Sequence, residues 1–153
     1  MKIHGKKLGP RVETVVFPRP DGDVVIQARC ITDFEDFEKL CPTPEPPKVR
    51  RASGEIFENI EDAGYKTRMD EHGKRRGAWI AVQSLQATPG LEWENVKPED
   101  PETWASYDEE LAEFGLSPGE RSRVTSCILD ACGLNQSKID EATKRFLATQ
   151  ASQ

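Results

Sequence analysis

Four prolines crowd the six positions from Pro42 to Pro47, and no regular helix or sheet runs through such a stretch. Each proline fixes φ, removes a backbone donor and pushes the residue before it out of the helical region. The run Cys41-Pro42-Thr43-Pro44-Glu45-Pro46-Pro47 therefore reads as a semi-rigid polyproline spacer. A groove of the SH3 or WW kind could also read such a run. The spacer divides the 153-residue chain into three stretches. Residues 1–41 read as a β-hairpin unit with a short helix, 42–62 as the spacer and an irregular segment, and 63–153 as a helical domain.

Ahead of the spacer, Val12 to Phe17 and Asp23 to Ile31 are rich in β-branched residues. Pro18-Arg19-Pro20-Asp21-Gly22 between them carries turn chemistry, so the pair reads as a β-hairpin. Val24, Ile26, Ala28 and Cys30 share one face of the second strand, which needs a cover. Thr32, with Glu35 three residues on, has the pattern of a capping box. The helix it opens, ending at Leu40, presents Phe34 and Phe37 and is expected to cover the hairpin.

Past the spacer, Ala63 to Ala87 is helical in pattern. Tyr65, Met69, His72, Arg76 and Trp79 follow a 4-3-4-3 spacing, and Trp79, Val82 and Leu85 should be core. Gly73 and Gly77 weaken its middle by about 1 kcal/mol each, enough for a kink or break near Gly73. Asp100 and Pro101 read as the start of a helix ending at Phe114 with Gly115 as its left-handed cap. Ser117-Pro118-Gly119-Glu120 is a capping box with proline in the first turn. Val124, Cys127, Ile128 and Ala131 form the apolar face of the helix it opens. After Gly133, Asn135 or Ser137 caps a last helix carrying Ile139, Ala142, Phe146 and Leu147. Short connections predict antiparallel packing of the last three helices, and the tail Ala148 to Gln153 should fray. The fold class is α+β: a hairpin with a short helix, then about four helices.

The net charge of −6 repels a phosphate backbone and argues against nucleic acid as partner. Charge is segregated, with Lys2, Lys6, Lys7 and Arg11 at the start and Lys48, Arg50, Arg51, Lys74, Arg75 and Arg76 further on. From Leu91 to Glu120, Lys97 is the single basic residue. Such segregation suits a protein partner or self-association. Neither a secretory signal nor a run of about 18 apolar residues is present, so no membrane contact is expected and the location expected is cytoplasmic. Cys30, Cys41, Cys127 and Cys132 lack Cys-x-x-Cys pairing, which argues for small buried hydrophobes rather than metal ligands. No phosphate-cradling glycine loop occurs, and His4 and His72 are the only histidines. No catalytic, metal or cofactor-binding residue is assigned, and the chain reads as non-enzymatic. Trp93 and Trp104 flank the acidic loop. With Tyr107, Leu111 and Phe114 they are the candidate partner-binding residues, being aromatic or apolar positions beside acids.

In order along the chain, these features resemble the tail assembly chaperones of long-tailed bacteriophages. The resemblance rests on the hairpin with Val24-Val25-Ile26-Gln27-Ala28-Arg29 and on the acidic helix from Asp33 to Leu40. It continues in the helical middle, the segment Glu109 to Glu120, and Cys127 to Asn135. The proline spacer and the last helix depart from the pattern. The resemblance implies a protein that binds the long helical tape-measure protein before the tail tube forms around it. Two other readings compete: a structural virion component, which would form a symmetric homo-oligomer, and an acidic inhibitor of a host enzyme.

Overall fold

The computed structural model describes residues 1–151. It has the α+β organisation expected, a hairpin and short helix followed by a mainly helical part. β1 (Val12–Phe17) and β2 (Val24–Arg29) pair antiparallel, Val12 opposite Arg29 and Phe17 opposite Val24. Gly22 closes the turn, donating its N–H to the Arg19 carbonyl at 3.2 Å with φ of 125°, where an L side chain would be strained. Next come α1 (Glu35–Leu40), α2 (Ala63–Leu85), a 3-10 turn (Trp104–Ser106), α3 (Tyr107–Glu113), α4 (Pro118–Ala131) and α5 (Gln136–Ala151). Helix α2 is unbroken through Gly73 and Gly77, and α5 is helical through Ala151, so the fraying expected from Ala148 is not seen there. Residues 152 and 153 lie outside the described residues.

Several local expectations need correction. Residues 48–62 are not wholly irregular, for β3 (Lys48–Arg50) and β4 (Ile56–Glu58) form a second antiparallel ribbon. Lys48 stands opposite Glu58, and the Arg51 guanidinium lies 4.6 Å over the Phe57 ring. Strands of three residues are too short to show a period of two. At α1 the Thr32 capping box does not form. Asp33 Oδ1 accepts instead from the Glu35 N–H at 3.2 Å. The helix expected from Pro101 begins later, because Asp100 folds residues 100–103 into a turn in which Thr103 N–H donates to its carbonyl at 3.0 Å.

The chain forms two compact units, and each draws on separate segments. One holds Met1–Thr32, Gln83–Glu92 and the chain from Leu111 onward, the other Asp33–Val82 and Trp93–Glu110. In the first unit the hairpin buries Phe17, Ile26 and Ala28, and α4, which buries Val124, Cys127, Ile128 and Ala131, packs on both strands. So α4, not α1, covers the sheet. The capping box at α4 is present: Glu120 N–H donates to Ser117 Oγ, and Ser117 N–H donates to Glu120 Oε2. Glu120 also receives the Arg19 guanidinium in two parallel bonds of 2.7 and 2.9 Å, fastening the hairpin turn to the start of α4.

The outer edge of β2 is closed by two hydroxyls. Gln27 N–H donates to Thr88 Oγ1 at 2.9 Å, and the same hydroxyl donates to the Gln27 carbonyl at 3.0 Å. Ser84 Oγ donates to the Arg29 carbonyl at 2.7 Å. Both side chains are buried, so two hydroxyls, one in the last turn of α2 and one three residues past its end, stand in for a third strand.

In the second unit Phe37 is the centre of an aromatic core. Its ring centroid lies 5.1 Å from His72, 5.5 Å from Trp79 and 6.0 Å from Trp104, with tilted geometry throughout. Phe34 lies 5.6 Å from Trp79, beneath the Arg76 guanidinium at 4.3 Å. His72 is thus a half-buried helix-flank residue, its Nε2 3.1 Å from the Cys41 carbonyl.

Two tests follow. Thr88→Val keeps the shape but orphans Gln27, and should cost about 1–3 kcal/mol in urea unfolding, whereas Thr88→Ser should lose little. Arg19, through its bidentate bond, and the Ser117 amide hold the Glu120 carboxyl at about 2, below its ordinary 4.5. A depressed carboxylate stabilises the fold above its ordinary value and loses that contribution as pH falls towards about 2. Stability should therefore fall with acid over this window, and Arg19→Met should flatten the fall in an unfolding series against pH.

Candidate protein-binding surfaces

The acidic stretch proves to be built around a carboxylate turned inward on its own backbone. Glu110, in α3, accepts from three successive amides: Glu94 at 2.9 Å, Asn95 at 2.7 Å and Val96 at 2.6 Å. Thr103 Oγ1 accepts from Lys97 N–H at 2.8 Å and donates to the Asp100 carbonyl at 2.8 Å. A loop with so many donors facing one way is an anion cradle, and here the chain fills its own.

The five candidate residues separate on this scaffold. Trp104 is fully buried and its Nε1–H donates to the Pro98 carbonyl at 3.0 Å. Trp93 is half-buried, with a shielded Nε1 that has no partner. Tyr107 is half-buried, and burial, then the Asp108 charge, pushes its phenol pKa up. Leu111 is buried and Phe114 is 65% exposed. Trp93, Trp104 and Tyr107 belong to one compact unit and Leu111 and Phe114 to the other. Leu111 explains the exposure of Phe114. Gly115, at φ of 105°, ends α3 with Leu116 N–H donating to the Leu111 carbonyl and Gly115 N–H to Ala112. That pairing buries Leu111 and Leu116 and leaves Phe114 facing out.

A larger apolar surface lies on α5, which sequence reasoning took for a packed helix. Asn135 caps it, its Oδ1 accepting from Lys138 N–H at 3.4 Å. Its base is anchored to α4 by Asp130, which accepts from Lys138 Nζ at 2.5 Å and Asn135 Nδ2 at 2.8 Å. These two bonds, Lys138 first, hold the Asp130 carboxyl below its usual range. Beyond that anchor no residue of α5 is buried. The antiparallel packing expected for the last three helices therefore does not extend to it. Ile139, Ala142 and Phe146 share one face, with Leu147 beside it. Phe146 is 61% and Leu147 59% exposed. The periodicity was legible, but a stripe of this kind is the same whether its cover is internal or a partner.

Cys41 and Cys127 are buried and Cys30 and Cys132 half-buried, and all four thiols are free. Cys30 and Cys132 line a cavity of about 420 Å³ with Leu8, Pro10 and Ala131. Burial pushes the Cys30 and Cys127 thiols up, which disfavours the nucleophilic thiolate. Among the described residues no group of three or more His, Cys, Asp or Glu side chains could hold a metal ion. No helix there is long and apolar enough to cross a membrane. Comparison with known protein families, curated proteins and solved structures found no match.

Glu110→Ala should cost about 2–3 kcal/mol, since three amides lose a charged acceptor. Hydrogen exchange at Asn95 and Val96 should accelerate, and Glu110→Gln, which keeps one oxygen, should recover part of the loss.

Proposed function

We propose that this protein is a non-enzymatic binding factor that shields a helical client, and that it is a tail assembly chaperone for a phage tape-measure protein. One observation supports the reading above the rest: α5 is a 16-residue helix with no buried residue and an apolar stripe along it. A helix of that length is marginal alone in water, so the stripe gains from a partner. A long client helix with its own apolar stripe matches it as helix against helix. Lys138, Asp140, Glu141, Lys144 and Arg145 keep the rest of α5 solvated. One short helix offers a small contact, so binding is of moderate strength and tube subunits can displace it.

In the five-residue set chosen from the sequence, Phe114 keeps a place at the surface and Trp93 and Tyr107 present partial faces. Trp104 and Leu111 serve the reading only as supports for the fold.

Co-expression with the longest coiled-coil-rich protein of the same genome, followed by pull-down and native mass, tests the proposal. A soluble complex where the client alone precipitates supports it. Ile139→Asp with Phe146→Asp should then abolish capture while circular dichroism stays unchanged, because neither side chain is part of the core. A discrete symmetric homo-oligomer that ignores the client would transfer the reading to a virion component.

A further inference from the structure

The β1–β2 ribbon has two outer edges, and its own chain closes one of them. Thr88 and Ser84 satisfy the edge of β2. In an antiparallel ladder directly opposed residues both face inward or both face outward, in alternation. Gln27 turns its amide and carbonyl outward to Thr88, so Thr14, directly opposite, turns its own outward on the far side. Val12 and Val16 follow by alternation. The bond from Cys30 N–H to the Arg11 carbonyl, 2.8 Å, agrees with this phase. Among the described residues no hydrogen bond reaches the outward main chain of Val12, Thr14 or Val16. Between residues 12 and 17 the edge has no lysine, proline or bulge, and its one charge, the half-buried Glu13, is paired with Arg11 of its own chain. Val12 is 44% and Val16 50% exposed.

We infer that β1 is a self-association edge, at which the β1 strands of two copies pair antiparallel about a twofold axis at Thr14. The resulting sheet has four strands, β2–β1–β1–β2. The occupant is a second copy because the edge is complementary to itself. Centred on Thr14, Val12 meets Val16 of the partner subunit and Thr14 meets Thr14 of the partner subunit, and each such pair exchanges both its bonds. Charge and proline select this register. Slipping two residues one way sets Glu13 against Glu13 of the partner subunit, a repulsive pair, and brings Pro10 to the edge. Slipping the other way brings Pro18 to the edge, and neither proline has a donor. In the centred register Glu13 lies opposite Val15 of the partner subunit. The strand is short, so the contact stays below the roughly 1,200 Å² of stable complexes and association depends on concentration. The inference rests on β1 and is independent of the reading given to α5.

Sedimentation equilibrium of the full chain over rising concentration tests it. Wild type should pass from monomer to dimer below about 1 mM. Thr14→Pro removes an outward donor without touching the β1–β2 ladder, a position where proline is tolerated. It should weaken dimerisation by about tenfold to a hundredfold with unchanged circular dichroism. Val16→Lys sets a charge on the edge and should act the same way, deciding the matter if Thr14→Pro disturbs the fold. Ile139→Asp should leave the dimer intact. A wild type monomeric throughout, or a dimer equally strong in folded Thr14→Pro or Val16→Lys, overturns the inference.

Discussion

The hydroxyl of Thr88 takes both hydrogen bonds that Gln27 turns away from β1, and the first unit is arranged around that exchange. A two-stranded ribbon is marginal in water because it has one face to bury and two edges to satisfy. With Ser84 and Thr88 on its edge, β2 is finished without a third strand. The chain just past α2, at Thr88, is thereby tied alongside β2. The apolar face goes to α4, and the bidentate bond from Arg19 to Glu120 fixes that helix at the end where the hairpin turns. Each device uses a short polar side chain or an ion pair where a larger domain would use more sheet.

The second unit solves a similar problem with rings. Phe37 comes from a six-residue helix, too short to hold itself together, yet His72, Trp79 and Trp104 surround it and define its place. The acidic loop then works as structure. Glu110 and Thr103 consume its amides, so one of the carboxylates that suggested a partner surface organises its own backbone instead. Accessible apolar side chains lie on α5 and along β1 as well as at Phe114.

Legibility followed the range of the forces involved. The hairpin, the Ser117 capping box and the left-handed glycine at 115 were readable because turn and cap chemistry is written within four or five residues. The core positions Trp79, Val82 and Leu85 were readable from period alone. What covers a face was not. Phe34 and Phe37 looked like the hairpin's lid because they follow it in sequence, but sequence proximity says nothing about which of two apolar faces wins a helix. Trp104 and Leu111 looked like contacts because acids surround them, and the loop's demand for an inward carboxylate could not be seen without its fold. The five-residue set accordingly mixed supports with surface. The α5 stripe was read correctly as a stripe and misread as packed.

The interleaving of the two units bears on how the chain is made. The hairpin is complete once residue 29 has left the ribosome, but α4, which buries its face, ends at Ala131. At a synthesis rate of roughly 5–20 residues per second, the apolar face waits about 5–20 s without its cover. The edge of β2 waits for Thr88 for over half that time. Meanwhile every segment of the second unit is finished by Glu110. Emergence order therefore favours completion of the aromatic unit first, leaving β1 and β2, though made before it, to be enclosed after it.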